Sequence, residues 1–146
     1  MRIGRSSTDN RTRVVIVTAD QEFEGAASET FGASSAIDLV IVSGRLAERC
    51  DNLPLEGATV VVVDFDAGQA DEMAAMSGLM ARIGNWPPVI AITQTFDEAV
   101  ARTLLQMRIA DFLVKPVAPV DLVRACAQVA KGPSAANQPA DAQIYT

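Results

Sequence analysis

The chain has 146 residues, a formal net charge of −6 and no histidine. That length suits one domain able to bury roughly 68–70% of its unfolded surface without a covalent staple, and the acidic balance argues against nucleic-acid binding, which selects for dense Lys and Arg. Without histidine, Ser-His and Cys-His nucleophilic catalysis within the chain are excluded, and any phosphohistidine chemistry must come from a partner.

Residues 1–12 read as a solvated, disordered tail, locally basic through Arg2, Arg5 and Arg11. From 13 to 131, strand-like apolar runs alternate with helical patterns, the signature of a parallel sheet covered on both faces. The strands are expected near 13–18, 37–43, 59–64, 88–93 and 111–115, all dense in Val, Ile or Leu. The first helix is expected from Gln21 to Phe31, with Phe23, Ala27 and Phe31 facing inward and Gly32 ending it. A short second helix spans Arg45 to Cys50. The third, Gln69 to Ile83, carries a stripe of Met73, Met76, Met80 and Ile83, read as core packing against the sheet. The fourth, Asp97 to Ile109, turns Val100, Leu104 and Met107 inward. The fifth starts at Pro119, a residue tolerated at the first helical position, and runs to Lys131 with an apolar stripe of Val120, Val123, Ala127 and Ala130. Residues 132–146 read as a linker whose last four, Gln143 to Thr146, regain strand character, either as the start of a following domain or as an apolar frayed end.

Cys50 and Cys126 lie far apart, in no C-x-x-C pair, so reduced thiols are expected. No apolar stretch approaches the length of about 20 residues that a membrane helix needs, and the amino terminus lacks the apolar core of a signal peptide. The expectation is a cytoplasmic protein with no direct membrane insertion.

Three strand ends carry the chemistry: Asp64 after Val60–Val63, Thr93 after Val89–Ile92, and Lys115-Pro116 after Asp111–Val114. An acid, a hydroxyl and an amine would converge at the carboxyl edge of one parallel sheet, where open α/β folds bind ligands. If Asp64 accepts a phosphoryl group, the charge that accumulates needs balancing by Lys115, a hydroxyl donor at Thr93 and a divalent ion. Mg2+ commonly takes one or two carboxylates. Asp64 offers one. The second must come from the loop after the first strand, Thr18-Ala19-Asp20, where only Asp20 carries a charge and would need a bulge in the loop to reach the ion; Asp66 is placed to contribute through its carbonyl rather than its side chain.

These residues resemble the receiver domain of bacterial response regulators, the CheY-like family, over about Arg13 to Lys131. The resemblance implies a flavodoxin-like, doubly wound (βα)5 fold with strand order 2-1-3-4-5 and no enzymatic activity of its own. It implies Asp64 as phosphoacceptor, Thr93 and Lys115 as pocket residues with Pro116 in cis linkage, and Phe112 as the aromatic residue that reports phosphorylation. The family's acidic pair falls on Thr18-Ala19, which leaves Mg2+ binding in question and marks an atypical receiver, or pseudo-receiver. Such domains resemble the amino-terminal part of Tad-pilus assembly proteins of the CpaE/TadZ type, whose next domain is a MinD/ParA-like ATPase.

Three functions compete on this sequence. One is a phosphorelay receiver charged at Asp64 by a histidine kinase, regulating or localising a pilus-assembly ATPase. The alternative is a phosphorylation-independent module that forms homodimers through the fourth helix, fifth strand and fifth helix. A flavin or nucleotide domain is the weakest, because Thr18 to Gly25 contains no G-x-G-x-x-G and no P-loop.

Overall fold

The computed structural model describes residues 12–33, 36–84, 86–94 and 96–130; the basic tail and the segment after Ala130, including Gln143 to Thr146, lie outside the described residues. Five parallel strands form one sheet in the order β2-β1-β3-β4-β5. They are β1 (Thr12–Thr18), β2 (Ile37–Ser43), β3 (Val60–Asp64), β4 (Val89–Thr93) and β5 (Asp111–Val114). The helices are α1 (Gln21–Gly32), α2 (Leu46–Arg49), α3 (Ala70–Ile83), α4 (Glu98–Gln106) and α5 (Pro119–Ala130). This is the expected doubly wound (βα)5 order.

The strands are apolar on both sides because both sides are covered. Successive residues alternate between two cores, as the two-residue period of a strand requires. Val15, Val17, Val61, Val63, Val89 and Ala91 pack with Leu46, Met76, Leu79, Met80, Val100 and Leu104 on one face. Val14, Ile16, Val60, Val62, Ile90 and Ile92 pack with Ala27, Phe31, Leu122, Cys126 and Val129 on the other. The methionine stripe of α3 is core, with Met76 and Met80 buried and Met73 and Ile83 packed against them. Burial pushes the Cys126 thiol up to about 12, so it stays an unreactive packing group.

The helices depart from expectation in four places. α1 includes Gly32, and its capping residue Ala33 stays right-handed, so glycine's left-handed freedom is not what stops it. The expected second helix divides into α2 and a 3-10 turn at Cys50–Asn52. α4 stops at Gln106, and Arg108 turns left-handed at φ 64°; the chain then enters β5 with the Ala110 N–H on the Val89 carbonyl at 2.8 Å. On α5 the buried residues are Leu122, Ala125, Cys126 and Val129, while Val120, Val123 and Ala127 face outward. The expected stripe is turned away because Leu122, the bulkiest apolar residue of this helix, takes the sheet-facing position.

Candidate functional site

Parallel pairing aligns the strand ends. Asp64 lies opposite Ile92 and Thr93 opposite Val114, and the Lys115 N–H continues the ladder onto the Thr93 carbonyl at 3.0 Å. That leaves the Lys115 side chain free to reach back across the edge. Its Nζ donates to Asp64 Oδ2 at 2.9 Å and to Asp20 Oδ2 at 2.8 Å, 5.9 Å from the centre of the Phe23 ring. Asp64 is only 7% exposed. The Lys115-Pro116 bond is cis, as the resemblance implies.

Asp20 reaches Lys115 from its place as the N-cap of α1. Its Oδ1 accepts from the Glu22 and Phe23 N–H groups at 3.0 and 3.3 Å, satisfying two orphan donors of the helix. The hydrogen bond from Lys115 holds the Asp20 carboxyl below its ordinary value despite its partial burial, and the two N–H groups add to this. Burial would push the Lys115 ammonium down; hydrogen bonds to Asp20 and Asp64 outweigh it and hold it above its ordinary value.

Three further residues complete the edge. Thr18, fully buried at the end of β1, donates its hydroxyl to Asp64 Oδ2 at 2.6 Å and accepts the Asp20 N–H at 2.9 Å. Thr18 therefore stands in the acidic pair's place as a donor toward Asp64. Glu72, on the first turn of α3 and 2% exposed, accepts the Ala47 N–H at 2.8 Å and the Asp66 N–H at 3.4 Å. Arg45 lies 2.9 Å from Asp71 and 3.6 Å from Glu72. The spacing Thr18-x-Asp20 is a readable signal of a hydroxyl folded onto a helix cap; Glu72 and Arg45 carry no local signal, since Glu72 looks like any acid near a helix N-terminus.

The expected residues are partly brought together. Asp64, Lys115 and Asp20 meet directly, and Thr93 is fully buried at the adjoining strand end. Phe112 stacks on Phe96 with ring centroids 5.0 Å apart. Asp66 lines the same cleft of about 310 Å³ but turns its Oδ1 to the Gly68 N–H at 3.0 Å. Asp20 Oδ1 and Oδ2 and Asp64 Oδ2 all have protein donors, and among the described residues no group of three acids or cysteines could hold a metal ion. Of the expected set of Asp20, Asp64 and Asp66, both Asp20 oxygens, Asp64 Oδ2 and Asp66 Oδ1 accept protein donors, and the three side chains do not gather into a metal-binding group among the described residues.

No protein-family model matches the sequence, and no curated protein matches it at a significant level. Solved structures do match in fold. A putative pilus assembly protein (cpaE) from Burkholderia thailandensis E264 is similar with a TM-score of 0.69 at 16% identity, over 82% of this chain and 98% of that one. A putative CpaE2 pilus assembly protein from Sinorhizobium meliloti 1021 gives 0.66 at 23% identity, over 81% and 99%. The signal receiver domain of the putative response regulator NarL from Mycobacterium tuberculosis gives 0.70 at 20% identity, over 84% and 98%. The chain has a CheY-like response-regulator receiver fold. Some of the structures that share this fold are described as pilus assembly proteins. Among the described residues, no helix is long and apolar enough to cross a membrane.

Proposed function

We propose that this chain is a receiver-fold interaction module that works without phosphorylation, pairing with a second copy through α4, β5 and α5 and serving a MinD/ParA-like ATPase of pilus assembly. The observation that carries this reading is the exposed apolar surface of those elements. Leu105 is 64% exposed, Val114 40%, Val120 59% and Val123 37%. Val120, Val123 and Ala127 fall on one side of α5, and β5 is an edge strand of the sheet. The nearby ion pairs Glu98–Arg102 and Asp121–Arg124 give both signs of charge to α4 and α5, which suits a two-fold interface in which one patch meets itself. The names of the similar pilus proteins support the setting. Light scattering on the purified chain tests the reading: Leu105→Glu with Val123→Glu should convert a dimer to a monomer, while Asp64→Asn leaves the dimer intact. Loss of the dimer in Asp64→Asn alone would overturn it.

A second reading has one observation in its favour: Asp64 sits beside Lys115 in an open cleft, as a phosphoacceptor would. Here a histidine kinase charges Asp64, and Thr93 and Phe112 rearrange in response. Acetyl-phosphate labelling decides it, since a label absent from Asp64→Asn supports phosphotransfer and an unlabelled wild type removes it.

A further inference from the structure

We infer that two built-in ion-pair clusters, Lys115 with Asp20 and Asp64 and Arg45 with Asp71 and Glu72, do at this pocket the charge-balancing and loop-tying work that a divalent ion would otherwise do. Five acids lie at or beside this cleft: Asp20 at the start of α1, Asp64 at the end of β3, Asp66 in the loop after it, and Asp71 and Glu72 in the first turn of α3. Two cations serve four of them, each bridging a pair. Lys115 holds Asp20 and Asp64. Arg45 holds Asp71 and Glu72. Asp66 is satisfied by the Gly68 N–H.

Position makes Arg45 more than a surface pair. Arg45 lines the same cleft as Asp64, Asp66 and Lys115, together with the short side chain of Ala19. It comes from the N-cap position of α2, so its backbone is fixed by the helix it starts. Glu72 is the anchor. Its two oxygens take N–H groups from separate segments, Ala47 in α2 and Asp66 in the loop after Asp64. A carboxylate buried to 2% exposure persists only where donors satisfy it, and here two backbone donors and a guanidinium do so. The loop that carries Asp64 is thereby tied to α2 through α3.

This inference is independent of self-association, because it concerns the pocket edge and not the apolar face. Its test uses the full chain in two measurements. Thermal melting in millimolar MgCl2, matched in ionic strength with NaCl, should give the same melting temperature with either salt. A saturable rise specific to Mg2+, lost in Asp64→Asn, would overturn the inference, since any ligand that binds the folded state alone raises its stability. Amide hydrogen exchange is the second measurement. Arg45→Gln and the milder Glu72→Gln should speed exchange at Ala47 and Asp66 by about tenfold, the scale of one lost charge-assisted hydrogen bond, while the β1 and β3 amides keep their protection. Unchanged exchange at both amides in both variants would also overturn it.

Discussion

The strand-end pocket and the face built by α4, β5 and α5 follow opposite rules. At the pocket the described acids have donors: Asp64 has Thr18 and Lys115, Asp20 has Lys115 and the start of α1, and Glu72 has Ala47, Asp66 and Arg45. On the face, Leu105, Val114, Val120 and Val123 are left exposed. A satisfied polar cluster resists change, whereas exposed apolar surface gains from being covered. On the proposed reading the pocket is the rigid part and the face the binding part, although the pocket is where the sequence first directs attention.

The comparison breaks most visibly at Lys115. Lys115→Ala leaves Asp64 buried without its cation. Removing one partner of a buried ion pair costs about 3–5 kcal/mol, and with Lys115 19% exposed the lower end applies, about 3 kcal/mol. Urea unfolding at neutral pH should show a lower midpoint with an unchanged slope. A midpoint equal to wild type would mean that water replaces the amine freely and that the pocket is not a closed network.

Thr18 gives the next effect. Thr18→Val keeps the shape but removes the hydroxyl from Asp64 Oδ2, at an expected cost of about 1–2 kcal/mol. Thr18→Ser should recover most of that, because it restores the donor. If Ser is destabilised while Val is as stable as wild type, the methyl group's packing and not the hydrogen bond is what matters at this position.

The pH dependence is smaller. Asp20 is held below its ordinary value of 3.8, so its contribution is present above pH 3.8 and is lost as pH falls through the lowered value. Lys115 is held above 10.5, so its contribution is present below pH 10.5 and is lost as pH rises through the raised value. Between these limits the pair predicts a plateau. Urea midpoints measured down the acid limb should fall less steeply in Asp20→Asn than in wild type.

The fold was legible because Val, Ile and Leu runs bounded by helical patterns admit few arrangements other than a covered parallel sheet. Asp64 and Lys115 were legible for the same reason, since strand ends must meet at one edge. Thr18 read as a missing acid because sequence shows which charge is absent before it shows which hydroxyl has turned toward a neighbour. The α5 stripe was misread by rotation: Val120, Val123 and Ala127 and Leu122, Cys126 and Val129 both have helical spacing, and only packing decides which set the sheet takes. Glu72 was illegible, because its partners Ala47 and Asp66 are backbone donors from α2 and from the loop after β3, whose meeting is a tertiary fact.

That rotated stripe gives the smallest effect on stability and the sharpest test of the comparison. Val120 is 59% exposed in the first turn of α5. Val120→Glu removes little burial within the protomer, replaces a β-branched residue with a better helix former, and puts an acid where the helix dipole favours one. Stability should stay within about 0.5 kcal/mol of wild type or rise slightly. Self-association, read by sedimentation velocity, should nonetheless be lost, because a carboxylate at a two-fold interface meets its own copy across apolar surface. A variant as stable as wild type and still dimeric would remove Val120 from the interface. One that is destabilised by more than about 1 kcal/mol would show that this face belongs to the protomer's own core, and the distinction between a rigid pocket and a binding face would fail there.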